Sequence, residues 1–134
     1  MLKRFILSVG LLFAAQGAVA DSFWEHNGSL MRLSTDGSDR RIFTYEEPSD
    51  LMYRAGVRTG TVLFEGRRIG DEYVGTARVF SRNCGWLEYR VSGVVPNERT
   101  VILYGKRERY NSQTCRPTGS IAHDKLVFNY RYSE

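Results

Sequence analysis

The sequence predicts one small all-β domain, an antiparallel β-barrel or sandwich of about seven strands with one disulfide, behind an N-terminal signal peptide. Three observations support this class. Apolar and polar residues alternate in short runs, turn-forming residues separate those runs, and no segment shows the 3.6-residue period of an amphipathic helix. The chain of 134 residues is also short enough for a single domain.

The first 20 residues have the three parts of a secretory signal peptide. Lys3 and Arg4 form a positive region, and Phe5 to Ala15 is a mostly apolar run. Ala18-Val19-Ala20 then supplies the small-x-small pattern of a cleavage site. The apolar run is shorter than the roughly 20 residues that a membrane-spanning helix needs, so we expect residues 1–20 to be removed.

Residues 21–134 would then form the exported domain. Asp21 rather than a cysteine follows the expected cut, so a lipid anchor at that terminus is not expected. No later apolar run is long enough to be a transmembrane segment. The exported domain is therefore expected to be soluble.

The exported domain is predicted to begin with a β-hairpin. Leu30 to Leu33 and Arg41 to Tyr45 are its strands, and the turn-rich run from Thr35 to Asp39 is the loop between them. Upstream of this hairpin, Phe23 and Trp24 are expected to fold onto the rim of the core.

Glu46 to Arg58 is the least regular stretch of the chain. Its composition favours either a loop between two hairpins or the start of a helical turn capped by Ser49. Gly56 and Gly60 mark the return to strand.

Three consecutive strands follow. They are predicted at Thr61 to Glu65, Tyr73 to Phe80 and Leu87 to Val91, with Gly70-Asp71 as the tight turn between the first two. The third alternates strictly between apolar and polar residues, which is typical of an antiparallel strand with one buried face.

The last third of the chain is predicted to contain two strands and a long connection. Thr100 to Tyr104 is apolar on both faces, so it is expected to be a central strand. Arg107 to Ser120 is polar and is predicted to be a long loop. Lys125 to Tyr132 alternates again and forms the final strand.

Cys84 and Cys115 are the only cysteines, and export would place them in an oxidising compartment. Neither lies in a C-x-x-C motif, so a structural disulfide is favoured over a redox site. Both follow strands that should run in the same direction, and the ends of those strands lie on the same rim of a meander. We therefore predict that they form one disulfide, which holds the polar loop.

Charge gives little indication of a partner. The chain has 19 Lys+Arg and 15 Asp+Glu residues, and removing Lys3 and Arg4 leaves a net charge of +2. A mixed, weakly positive surface does not indicate nucleic-acid binding. It does permit attraction to anionic glycans or lipids.

The common catalytic, metal and cofactor motifs are absent from the sequence. His26 and His123 stand near opposite ends of the exported domain and have no carboxylate at a spacing that suits a shared site. Asp36 to Asp39 lacks the spacing of a calcium loop and is better explained as a hairpin turn. We expect no bound metal and no cofactor.

A binding surface is a stronger candidate than a catalytic site. Aromatic rings can stack on sugars while arginine bonds hydroxyls or carboxylates, although most aromatic residues on strands belong to the core. The residues expected at a binding edge, close to the two cysteines and in the polar loop, are Trp86, Arg107, Arg109, Tyr110 and Arg116.

Several glycine, core and cysteine-flanking positions carry a resemblance to known sequences. They are Trp24, His26 to Ser29, Gly60-Thr61, Leu63-Phe64, Gly66, Gly70, Tyr73, Gly75-Thr76-Ala77 and Cys84-Gly85. At these positions the chain resembles small exported proteins of Gram-negative bacteria. The resemblance implies a periplasmic or secreted location and carries no catalytic residue.

The sequence favours a non-catalytic exported binding domain whose partner is a cell-envelope glycan or a protein. A secreted factor or enzyme inhibitor that acts on a host or competitor is one alternative. A small carboxylate-dependent hydrolase is another, and the carboxylates available to it are Glu25, Asp36, Asp39, Glu46, Glu47 and Asp50.

Processing of the exported chain gives the first test. Cleavage after Ala20 should leave Asp21 as the first residue, and the intact mass of the protein recovered from the envelope fraction measures this directly. Recovery of the full-length chain from that fraction would contradict the prediction.

Overall fold

The computed structural model describes residue 10 and residues 21–134. Apart from Gly10, the predicted signal peptide lies outside the described residues, so its removal stays a prediction. Within the described residues no helix has both the length and the apolar character needed to cross a membrane.

Eight antiparallel strands form a closed barrel in which each strand pairs with the next and the last returns to the first. The all-β prediction is confirmed, with eight strands rather than seven. The elements in chain order are β1 (Ser22–His26), β2 (Ser29–Ser34), β3 (Arg40–Glu47), α1 (Asp50–Arg54), β4 (Val62–Ile69), β5 (Glu72–Ser81), β6 (Gly85–Val94), β7 (Thr100–Tyr110) and β8 (Pro117–Ser133).

The strand that the sequence pattern missed is β1. Its register against β8 shifts between Phe23 and Trp24, so two successive aromatic residues are both buried and the period of two is lost. Trp24 belongs to the main core, whereas Phe23 is buried against the ring of Tyr132 at 4.7 Å between ring centroids and under the guanidinium of Arg32. The prediction that both residues fold onto the rim of the core was therefore wrong for Trp24.

The prediction of a long polar loop from Arg107 to Ser120 was also wrong. Most of it belongs to β7 and β8, which pair as far as Tyr110 and Pro117, so only residues 111–116 form the turn. Polar side chains do not prevent this pairing because the ladder satisfies the backbone groups and leaves the side chains in water.

The barrel interior is packed with side chains. Phe43 stacks on Phe128 at 4.0 Å between ring centroids, and Phe64, Met31 and Leu103 are fully buried around them. Each such side chain stabilises the fold by about 1.5–3 kcal/mol relative to exposure. An eight-stranded barrel is just wide enough for side chains to fill it, and here they do.

The irregular stretch between β3 and β4 contains the short helix α1. This confirms one of the two predictions for that stretch, the helical turn capped by Ser49. The side chain of Ser49 accepts a hydrogen bond from the backbone N–H of Met52, as a helix N-cap does. Met52 packs against the core, and Val57, just after the helix, is completely buried. This segment therefore covers part of one end of the barrel.

The predicted disulfide between Cys84 and Cys115 is present, with 5.5 Å between the two Cα atoms. It joins the β5–β6 turn to the β7–β8 turn, at the end of the barrel that we call the tip end. Asn83 adds to this connection because its side-chain amide donates to the carbonyl oxygens of Ser112 and Gln113. The disulfide thus ties two hairpin turns together rather than holding one long loop.

His26 is a buried polar residue in the core, with its ring stacked on Phe128 at 4.4 Å between centroids. Its Nδ1 lies 2.9 Å from the carbonyl oxygen of Val127 and must carry the hydrogen, since a carbonyl can only accept. Burial is the main cause that lowers the pKa of His26 below its ordinary value of 6.5, although the Val127 contact and the charge of Glu25 oppose the shift.

Removing the disulfide should loosen the tip end. Replacing Cys84→Ser together with Cys115→Ser is expected to lower the free energy of unfolding by about 2–4 kcal/mol because the unfolded chain regains its freedom. Hydrogen exchange should rise in the two tied turns and stay unchanged in the β2–β3 hairpin. An unchanged melting temperature, or two titratable thiols in the denatured unreduced protein, would contradict this prediction.

Acidification should destabilise the fold through His26. The His26 side chain binds a proton near pH 6.5 in the unfolded chain and only at lower pH in the folded chain. The free energy of unfolding is therefore highest above pH 6.5. It falls as the pH decreases, by up to about 1.4 kcal/mol per pH unit. Denaturant unfolding between pH 7 and pH 5 measures how the free energy of unfolding changes with pH. This range lies above that in which Glu25 titrates in the folded protein.

Two variants identify the group responsible. His26→Gln should be less stable at pH 7 but nearly insensitive to pH in this range. The exposed His123→Gln serves as the control and should keep the slope of the parent protein. Equal slopes in all three proteins would overturn the assignment to His26.

Candidate functional site

The ladder of the closed barrel is shortest between β6 and β7. These strands pair at a single position, Ser92 with Tyr104, whereas β5 pairs with β6 along the whole strand from Gly85 to Val94. Beyond this point the tip-end parts of β6 and β7 are not paired with each other. We call this unpaired region the opening.

Two glycines allow β6 and β7 to lie in close contact beside this pair. A Cβ atom on Gly93 would lie 1.7 Å from the carbonyl oxygen of Ile102, and one on Gly105 would lie 2.6 Å from that of Arg90. The two backbones are therefore close at two points that leave no room for a side chain. We call this contact the crossing.

Three clefts surround the opening. The tip cleft, of about 540 Å³, lies between the two tied hairpins and includes Phe80, Arg109 and Tyr110 in its walls. The slot, of about 290 Å³, lies between the unpaired strands and includes Leu87 and Pro117. The outer groove, of about 700 Å³, runs along the outside of the barrel across β6, β7 and β8.

Three polar residues, Tyr89, Arg107 and Asp124, lie on the inner side of the opening, and we call them the trio. The Nε of Arg107 donates to the carboxylate of Asp124 at 2.6 Å, and the guanidinium of Arg107 lies 6.0 Å from the ring centroid of Tyr89. Burial, together with a hydrogen bond to Asp124, raises the pKa of Tyr89. Tyr89 therefore stays protonated at neutral pH, and the trio is a compensated contact rather than a source of a catalytic base.

The structure brings three of the five predicted binding residues together. Arg107, Arg109 and Tyr110 all line the tip cleft, but Arg107 is held by Asp124 and is only partly exposed. Trp86 lies apart on the outside of β6, 56 % exposed, with the guanidinium of Arg78 at 5.0 Å from its ring centroid. Arg116 is exposed in the β7–β8 turn and lines none of the three clefts.

The outer groove was not anticipated from the sequence. Its walls carry the basic side chains of Arg90, Lys106 and Lys125, and the exposed ring of Tyr104 lies next to Lys125. The cross-strand pairing of Tyr104 with Lys125 and of Lys106 with His123 places these residues together. The available signal was the cationic, aromatic outer face of β7, which the sequence analysis assigned to a buried central strand.

The two histidines do not form a common site. His26 is in the core, whereas His123 is exposed on β8 beside the outer groove. Asp36 accepts hydrogen bonds from the hydroxyl and backbone N–H of Ser38, as expected for a polar hairpin turn. Within residues 21–134 no group of three acidic, histidine or cysteine side chains could hold a metal ion.

Three of the six candidate carboxylates share a cleft beside α1. Glu25, Glu47 and Asp50 line it together with Arg131. The backbone N–H of Gly28 donates to Glu25 at 2.9 Å and is the main cause that lowers the pKa of that carboxyl. A hydrolase acid needs the opposite shift, so Glu25 does not suit that role.

The other three candidates lie elsewhere. Glu46 forms an ion pair with Arg32 at 3.2 Å. Asp36 and Asp39 belong to the β2–β3 loop, and Asp39 lies 3.9 Å from the guanidinium of Arg67. The six carboxylates therefore do not converge on one catalytic cleft.

The chain matches no protein-family model, no curated protein and no solved structure.

Proposed function

We propose that the protein is a non-catalytic exported binding domain, that its binding surface surrounds the opening between β6 and β7, and that its partner is a glycan of the cell envelope. The single observation that carries this proposal is the interrupted pairing of β6 and β7, around which three clefts gather. Clefts of this size fall near or within the range typical of sites for small molecules.

The filled interior directs the ligand to the surface. Phe43, Phe64 and Phe128 are completely buried in the barrel, so a guest molecule in the interior would have to displace the core. The clefts around the opening combine ring faces, such as those of Phe80 and Tyr110, with polar groups such as Arg109. This mixture suits a sugar, which has apolar ring faces and hydroxyl edges.

A glycan is favoured over a protein partner because the surface is concave and divided. A stable protein interface buries about 800 Å² on each partner, usually over a continuous patch. Here the exposed aromatic residues are separated: Trp86 lies at the tip end of β6 and Tyr104 at the crossing of β6 and β7. An extended sugar chain can contact separate clefts in turn.

The disulfide supports both the location and the rigidity of this surface. A bond between Cys84 and Cys115 requires an oxidising compartment to persist, which agrees with export. It also limits how far the two hairpins can separate, so the tip cleft exists before the ligand arrives. A preformed cleft avoids the entropy cost of ordering loops on binding.

Replacement of residues in the tip cleft tests the proposal. Co-sedimentation of the mature protein with purified envelope glycan should show binding, and Tyr110→Ala with Arg109→Ala should weaken it by about three- to tenfold through loss of ring and polar contacts. Tyr53→Ala with Arg54→Ala is the matched control on α1, where both residues are exposed and remote from the clefts.

Thermal unfolding of both double variants is measured alongside, and it should show similar stabilities. A parent protein that does not sediment with any envelope glycan would overturn the proposal. So would a tip-cleft variant that binds as well as the control.

A further inference from the structure

We infer that the outer groove holds a negatively charged sugar, so that the glycan recognised by this protein is an acidic one. This inference deepens the proposed function and rests on it. It assigns the groove to a carboxylated or phosphorylated unit of the chain, whereas the tip cleft would contact neighbouring units.

The basic residues of the groove have no carboxylate partners. Within the part of the chain that the structure describes, no ion pair involves Arg90, Lys106 or Lys125. The arginines that do form ion pairs there are Arg32, Arg40, Arg67, Arg78 and Arg107. Three cations that line one concavity repel one another, and a bound anion would remove that repulsion.

The one carboxylate in the groove wall does not cancel this charge. Asp124 lines the groove but is held on its other side by Arg107 at 2.6 Å. Its negative charge is therefore already balanced by a residue outside the groove. The field within the groove remains positive, and it is strengthened by the concave shape.

Tyr104 supplies a face for a sugar ring. Its side chain is 53 % exposed on the outside of β7, and the Nζ of Lys125 lies 6.0 Å from the ring centroid. Ser92 and Gly105 line the groove beside it and carry little or no side chain there. A ring stacked on Tyr104 would therefore lie within reach of the surrounding cations.

The shape of the groove favours a sugar chain over a membrane surface. Its volume is about 700 Å³, and the small residues Ser92 and Gly105 line it between the longer side chains of Arg90, Lys106 and Lys125. A flat bilayer would contact the rims and not the floor. A flexible acidic oligosaccharide can enter the groove, and ligand pockets typically have 300–1,000 Å³.

Matched oligosaccharides test the inference. Binding of the mature, disulfide-bonded protein is measured by calorimetry with oligomers of galacturonic acid and of galactose, which differ by a carboxylate at C6. The acidic oligomer is expected to bind about tenfold or more tightly, because hydrogen bonds to charged groups are stronger than those to neutral groups. Its affinity should also fall as salt rises, while that of the neutral oligomer should change little.

Two sets of variants with equal net charge locate the effect. Arg90→Gln with Lys106→Gln and Lys125→Gln should abolish the preference for the acidic oligomer. The control variant, Arg54→Gln with Arg82→Gln and Arg99→Gln, removes three positive charges from exposed sites outside the groove. It should keep the preference for the acidic oligomer. Tyr104→Ala should weaken binding of both oligomers, with Tyr53→Ala as its control.

Each contrary outcome has a distinct meaning. Equal affinity for acidic and neutral oligomers would overturn the acidic assignment and leave the glycan-binding proposal standing. Equal loss in both triple variants would show a non-specific charge effect and would also overturn it. Binding to vesicles that contain phosphatidylglycerol, without binding to the acidic oligomer, would assign the groove to lipid instead. Failure to bind any glycan, envelope material included, would remove both proposals.

Discussion

The close crossing of β6 and β7 is the constraint on which the arrangement of the surface depends. Two glycines allow the backbones to touch, and neither position has room for a Cβ atom. The two strands are paired only beside this contact, and their tip-end parts are not paired with each other. The outer groove lies along the contact, and the slot lies between the unpaired tip-end parts.

The opening also explains two other features of the fold. Unpaired strands leave backbone groups and side chains without neighbours, and the trio of Tyr89, Arg107 and Asp124 fills part of that space. The disulfide then joins the two hairpins at the end where no ladder does so. A covalent bond and a compensated ion pair thus replace the missing strand pairing.

Alternation of apolar and polar residues predicted seven of the eight strands because most strands here have one buried and one exposed face. It failed at β1, where the register shift between Phe23 and Trp24 buries consecutive residues. It failed again at the ends of β7 and β8, since side-chain polarity does not report a backbone ladder. The disulfide was predictable because only one pairing of two cysteines exists within the chain.

The candidate site was only partly accessible from the sequence. Arg107 and Tyr110 line the same cleft. The ion pair of Arg107 with Asp124 depends on the register of β7 against β8, which turn length and a register shift determine. The meeting of Arg90 with Lys106 and Lys125 depends on the crossing of β6 and β7. Period-two patterns do not encode a crossing, so the only signal for the outer groove in the sequence was the cationic and aromatic outer face of β7.

The pairing of β1 with β8 sets the order in which the barrel can form. Every other pairing joins strands that are neighbours in the chain, so its loop-closure entropy is small. Closing the barrel instead joins Ser22 to Ser133, almost the full length of the domain. We therefore expect the meander to form first, with the edges of β1 and β8 exposed until the barrel closes. An exposed strand edge can pair with another copy, so the time to closure limits how much of the newly made protein associates in this way.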